Sequence, residues 1–365
     1  MAVQRSRTES CPSHAWRRWL AENRMAGIDD QVLIDIMIRD GIPDALARAE
    51  LRAVVADPVF QAGDAMAQRL RKLESVLAVR HALRGLAPSE RFRGIERRSN
   101  VAREEFLERY YVANRPVILL GLMKNWKARS RWTPEYLNAV CGDETVEIMS
   151  GREKDPRYEI NSNAHKTKCR FSEYIDRVVN GGRSNDYYLV ANNDLLSRES
   201  MKCLYEDMVL FPEYLDGGAR DGCVFLWFGP AGTVTPLHHD LLNILLAQVC
   251  GRKRIVMIPP EQTHLVYNET GVYSEVDPGR PDYARFPRFR EVKPYCVVLR
   301  PGEVLFIPVG WWHHVEALDI SMTVSLSNFL FPNEYQWSLP DIQRLASKPR
   351  KKGEGALEGL PANQS

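Results

Sequence analysis

The sequence predicts an all-β core, a double-stranded β-helix of jelly-roll type, with flanking helices and an α-helical N-terminal region. Three observations lead there. From about residue 92 the chain breaks into short β-branched and aromatic runs separated by Gly and Pro turns. Two histidine-bearing stretches, Thr235–Asp240 and Trp311–Val315, each follow such a run and lie far apart in sequence, as they do when a barrel brings distant strands together. Before residue 90 the apolar residues instead recur at helical spacing.

At 365 residues the chain can hold one large domain and a smaller one. Its formal net charge of +2 gives no global electrostatic case for nucleic acid or an acidic membrane surface. The seven cysteines are scattered and never form a Cys-x-x-Cys pair, which argues for reduced thiols and against a disulfide framework. Met1–Pro12 is polar and basic with no apolar stretch behind it, so no signal peptide is expected. No apolar run is long enough to span a bilayer. The expectation is a soluble, cytoplasmic protein.

Three regions are expected. Residues 1–90 form the helical region, where Trp16, Trp19 and Leu20 make one stripe and Val32, Leu33, Ile36 and Met37 another. Gly27 and Gly41–Pro43 punctuate them, and Asp29 is placed to cap the second helix. A longer helix, from about Asp64 to Leu86, carries Met66, Leu70, Leu73, Val76 and Leu77 along one side; Pro88 ends it. That side is read as a self-association surface giving a homodimer.

Residues 91–335 form the barrel. Arg115–Gly121 and Thr145–Met149 read as strands, Ser150–Arg170 as a long polar loop, Phe171–Val179 as a helix and Tyr187–Ala191 as a strand. Asn243–Pro260 reads as two apolar strands joined through Gly251 as a hairpin, with Lys253 just inside the returning strand. A polar insertion spans 261–292, and Cys296–Leu299, Glu303–Pro308 and Ser321–Phe329 supply further strands. Residues 336–365 are expected to be a short helix and a disordered tail.

Side chains on a strand alternate faces, so His238 and Asp240 point one way and His239 the other. A histidine from the Trp311–Val315 strand would complete a set of two imidazoles and one carboxylate on a common face. That set suits a non-haem Fe(II) with positions left open for a cosubstrate and oxygen. Spacing alone does not separate His313 from His314 for the third place.

Four stretches, Trp227–Asp240, Asn243–Pro260, Pro281–Pro287 and Pro301–His314, resemble the JmjC hydroxylases, which are cupin-like Fe(II)- and 2-oxoglutarate-dependent oxygenases. The resemblance covers roughly Phe92 to Pro332 and is greatest toward the asparaginyl hydroxylase-like branch that acts on proteins. It implies a cupin barrel and puts the metal-binding and catalytic residues on His238, Asp240 and His313, because the motif's ligand directly follows Trp-Trp. Tyr188, Thr235, Asn243, Lys253 and Asn328 fall on positions that resemble those holding 2-oxoglutarate. The chemistry implied is conversion of 2-oxoglutarate and O2 to succinate and CO2, coupled to hydroxylation of a protein or peptide side chain, with no protein base required.

Lys253 makes independent sense there: a cosubstrate that chelates iron at one end needs a fixed cation for its far carboxylate, with the Thr235 and Tyr188 hydroxyls assisting. Discrimination among substrates must come from segments over the barrel mouth. Arg152 and Tyr158 in the Ser150–Arg170 loop are the expected substrate contacts, with the 261–292 insertion opposite. The alternatives of the same chemistry are N-methyl-lysine demethylation and oxidation of a small molecule or an RNA base. Demethylation is ranked second because no zinc module accompanies the barrel.

Overall fold

The structure, a computed structural model, describes residues 14–86, 94–191, 195–218 and 222–337. The tail expected at the C-terminus lies outside these residues from 338 onward. The chain forms two compact units that divide between Arg84 and Gly85.

The first unit holds four helices: α1 (His14–Met25), α2 (Asp30–Arg39), α3 (Asp44–Ala56) and α4 (Pro58–Arg84). Asp29 caps α2, its carboxylate accepting from the Gln31 amide. Leu20, Leu33, Ile34, Met37, Leu51, Val54 and Phe60 form the core. Ile34 thus takes the inward place expected for Val32, which is exposed. Helix α4 buries only Phe60, while Met66, Leu70 and Leu73 stay 71%, 57% and 64% exposed. The homodimer expected from the sequence rests on that stripe, and the mass in solution at micromolar concentration tests it.

The second unit is built on strands. In chain order they are β1 (Glu96–Ser99), β2 (Val117–Leu120), β3 (Thr145–Ser150), β4 (Lys166–Arg170), β5 (Tyr187–Tyr188), β6 (Val224–Gly229), β7 (Val234–His239), β8 (Ile244–Cys250), β9 (Lys253–Ile258), β10 (Tyr295–Leu299), β11 (Val304–Ile307), β12 (Trp312–Ala317) and β13 (Ser321–Leu326). Two helices matter to the packing, α5 (Pro134–Cys141) and α6 (Phe171–Asn180). A six-stranded sheet runs β1-β2-β11-β8-β13-β6 and a four-stranded one β10-β9-β12-β7; β4-β3-β5 form a third. The first two are the walls of the expected jelly roll.

Between those walls Leu246 and Leu305 meet Ile255, Met257, Val297 and Val315. The outer face of the six-stranded sheet is covered as well, with Leu245, Ala247, Phe306 and Val324 packed on Phe106, Phe171 and Tyr174. Both faces are therefore buried, and β8 and β11 read as near-continuous apolar runs, whereas β13 alternates, with Met322, Val324 and Leu326 on the covered outer face.

That double burial corrects the expected hairpin. β8 pairs with β11 and β13, whereas β9 pairs with β10 and β12, so consecutive strands lie in different sheets. Gly251 makes the corner between them with φ +69°; a Cβ there would sit 2.2 Å from the Ile320 carbonyl oxygen. Ser150–Arg170 is not one loop either, because Lys166–Arg170 pairs antiparallel with β3. The strand expected over Tyr187–Ala191 is only two residues long, extended by a single bridge from Leu189 to Phe228. No helix among the described residues is long and apolar enough to cross a membrane.

Candidate active site

β7 and β12 are antiparallel neighbours in register, with His238 opposite His313 and Trp312 opposite His239. Cross-strand partners on one face approach closely, and the two imidazoles lie 4.1 Å apart between ring centroids. Asp240, one residue past β7, brings Oδ2 to 3.6 Å from His313 Nε2. The donor atoms of His238, Asp240 and His313 all fall within 4.8 Å of one another, the one such cluster found among the described residues.

Each imidazole is aimed by its own strand. His238 Nδ1 donates to the Pro236 carbonyl at 2.8 Å and His313 Nδ1 to the Trp311 carbonyl at 3.0 Å. With Nδ1 carrying the proton, Nε2 keeps its lone pair for a metal, the usual outer-sphere arrangement for a ligating histidine. Burial, with help from the neighbouring His238, pushes the His313 pKa down to about 4, so this ring is neutral at physiological pH. Two imidazole nitrogens and a carboxylate on one face fit a divalent first-row ion with open positions.

His239 points away, its ring packed on Trp312 at 4.8 Å and Trp337 at 5.0 Å. His314 turns to the other side of the wall, 3.9 Å from the Asp277 carboxylate.

The cluster opens on a cavity of about 440 Å³ that reaches inward between the two sheets. Lys253, Tyr188, Thr235, Trp227 and Ser325 line it. The Lys253 ammonium is buried, donates to the Tyr188 hydroxyl at 3.1 Å and has no carboxylate partner among the described residues. Burial alone pushes its pKa down to about 7. A buried cation without a counter-ion sits at one end of the cavity and a metal-binding face borders it. Together they fit a dicarboxylate that chelates a metal. Tyr188 reaches this position because Gly229 has no side chain: a Cβ there would lie 2.6 Å from the Tyr188 ring.

Asn243 and Asn328, expected at the cosubstrate, are not among the residues lining the cavity. The Asn243 side chain donates to Asn333 Oδ1 and the Tyr335 hydroxyl and accepts from the Val309 amide, leaving little capacity for a ligand. Asn328 Nδ2 donates to the Asp216 carbonyl at 2.6 Å.

Arg152 is also not where a substrate contact would be. It is fully buried, its Nη2 donating to the Val234 carbonyl at 2.7 Å and to Glu159 at 3.0 Å. Its guanidinium lies 4.2 Å from the Tyr158 ring centroid and 5.4 Å from that of Tyr188. The Tyr158 hydroxyl donates to the same Val234 carbonyl. Both residues pin the loop to the start of β7, and only Tyr158 keeps a face toward open space, in a second cavity of about 680 Å³. The sequence reading missed Glu159 and Tyr273, which line both cavities. The Tyr273 ring stacks on His238 at 5.8 Å. An aromatic within a polar insertion was the only signal for it.

Residues 102–335 match the cupin-like domain family. Among named relatives, the lysine-specific demethylase JMJ30 of Arabidopsis thaliana is 34% identical over 251 residues, covering 67% of this chain and 56% of that protein. Lysine-specific demethylase 8 of Xenopus tropicalis is 34% identical over 229 residues, covering 61% and 50%. HSPB1-associated protein 1 of Homo sapiens is 30% identical over 236 residues, covering 59% and 47%. The chain thus spans about half the length of these relatives. Two walls of antiparallel strands, a His-Asp-His face between them and this span of similarity agree: the chain belongs to the cupin-like, JmjC-type family of Fe(II)- and 2-oxoglutarate-dependent oxygenases.

Proposed function

We propose that this chain is an Fe(II)- and 2-oxoglutarate-dependent oxygenase acting on a protein side chain. One observation carries the reading: His238, Asp240 and His313 border the same cavity as a buried Lys253 that has no carboxylate partner among the described residues. His238, Asp240 and His313 would hold the metal, and Lys253 with Tyr188 and Thr235 the far carboxylate of the cosubstrate. Bound iron and cosubstrate supply the oxygen chemistry, coupled to formation of succinate and CO2. The protein's part is orientation. The carbonyls of Pro236 and Trp311 fix the imidazoles, and the packed apolar residues between the walls hold the strands that carry them.

Two outcomes share this chemistry. Oxidation of an unmodified side chain leaves a hydroxyl; oxidation of an N-methyl carbon gives a hemiaminal that releases formaldehyde. The sequence favoured the first. Two of the relatives above are named lysine-specific demethylases, and this supports the second.

The test is succinate formation with Fe(II) and 2-oxoglutarate, followed by mass spectrometry of peptides carrying lysine or methylated lysine. Formaldehyde with loss of a methyl group marks demethylation, and a retained oxygen marks hydroxylation. Succinate absent under all conditions would count against the oxygenase reading.

A further inference from the structure

The second cavity is larger than the first, and the metal face lies outside its lining. Its volume of about 680 Å³ lies in the range of ligand sites. Glu159 and Tyr273 line both cavities, so the two are neighbours at that pair.

The charges along the larger cavity are mostly matched. Glu316 pairs with Arg183 and with Arg254, the latter at 2.8 Å. Glu275 pairs with Arg285, and Glu159 is held by the buried Arg152. Asp277 has the Gly279 amide at 2.8 Å and His314 at 3.9 Å, an imidazole that burial pushes toward neutral, so it has no cationic partner among the described residues. Arg157 and Arg280 remain as well. They come from two separate segments, both are exposed, and neither makes an ion pair among the described residues. Two unmatched guanidiniums on the solvent side of a groove are suited to carboxylates.

We propose that the larger cavity is the substrate channel. In it the target side chain enters between Glu159 and Tyr273, while Arg157 and Arg280 bind acidic residues flanking the target in the peptide. The inference rests on the oxygenase reading for the identity of the inner site, and it narrows the substrate to a peptide whose flanks are acidic. The channel is then polarised, with a carboxylate at its neck and guanidiniums at its rim. A uniformly basic tail would be repelled at the rim. Phosphates of a nucleic acid could also meet two arginines, but the neck carboxylate disfavours a polyanion.

The experiment uses the full chain with Mn(II) and 2-oxoglutarate without oxygen, so that binding is read apart from turnover. Fluorescence anisotropy follows short labelled peptides with a central methylated lysine and either Asp/Glu or Lys/Arg flanks. The acidic-flank peptide is expected to bind roughly fivefold to tenfold more tightly at low salt, the preference shrinking as salt rises. In Arg157→Glu/Arg280→Glu the preference is expected to reverse, and in Arg157→Gln/Arg280→Gln to flatten, with melting temperatures unchanged because both residues are exposed. Equal binding of the two peptides, binding of neither, or a preference that survives charge reversal would overturn the proposal. So would a single-stranded RNA oligomer that displaces the acidic peptide and loses its affinity on charge reversal. Succinate formation by the wild type is measured separately. If it is absent while peptides are still sorted by their flanks, the oxygenase reading fails and the channel stands.

Discussion

On one side of the cavity, His238, His313, Thr235 and Lys253 are carried on three adjacent strands and aligned by ladder register. On the other, Tyr158, Glu159 and Tyr273 come from connecting segments anchored by a few side-chain hydrogen bonds. The strand side draws its precision from many backbone hydrogen bonds, so no single side chain is needed to hold it. The loop side depends on one buried guanidinium, Arg152, which ties Glu159 and the backbone of β7 together. Removing a strand-borne ligand should therefore abolish chemistry and spare the fold. Removing the loop's anchor should do the reverse.

The largest effect is expected at Asp240. Asp240→Ala removes the only carboxylate of the cluster and should abolish both iron binding and succinate formation. His239→Ala, one position away on the opposite face, should keep iron and most turnover. Loss of iron in His239→Ala with retention in His238→Ala would break the register argument.

Next comes Arg152→Ala. It leaves the half-buried Glu159 carboxylate without its partner and strips two donors from the Val234 and Asn185 carbonyls. Losing one member of a buried pair costs about 3 kcal/mol, seen as a lower denaturant midpoint. Iron affinity should change little. A variant as stable as the wild type would show that the loop is held by other means.

Lys253→Ala deletes the cavity's buried cation. A charge-assisted bond inside a pocket is worth roughly 1.5–3 kcal/mol, so the 2-oxoglutarate requirement should rise at least about tenfold. Iron should still bind. An unchanged requirement would remove Lys253 from the site.

The same contrast explains what the sequence made legible. Strand alternation put His238 and Asp240 on one face, and the family resemblance added His313, Thr235 and Lys253; all five line one cavity. The hairpin through Gly251 was misread because local spacing does not say which sheet a strand joins when both faces are buried. Asn243 and Asn328 have the polarity of binding residues but fill structural hydrogen bonds to Asn333, Tyr335 and Asp216. Arg152, in a polar and charged stretch, looked like a surface donor. Only the tertiary structure shows its guanidinium between two tyrosine rings. Glu159 and Tyr273 carry no periodic signal at all, since loop positions are set by contacts distant in sequence.

The smallest effect is a pH dependence, and it separates an electrostatic role for Lys253 from a packing one. In the cosubstrate-free protein, burial holds the Lys253 pKa near 7, well below the ordinary lysine value. A bound carboxylate favours the ammonium and raises that pKa. Above about pH 7, then, binding must take up a proton, and the apparent affinity for 2-oxoglutarate should fall as pH rises, by at most about tenfold per unit. Below that pH this group should contribute no slope. Stability of the cosubstrate-free protein should run the opposite way: the unfolded chain keeps Lys253 protonated up to its ordinary pKa, so stability from this group rises with pH between the two values. Saturating 2-oxoglutarate should reduce that rise. Calorimetric titrations in buffers of differing ionisation enthalpy, with Fe(II) replaced by Mn(II), would count the protons taken up. A pH-independent affinity from 7 to 9, or a slope that persists in Lys253→Ala, would show that the lysine packs against the cosubstrate without charging it.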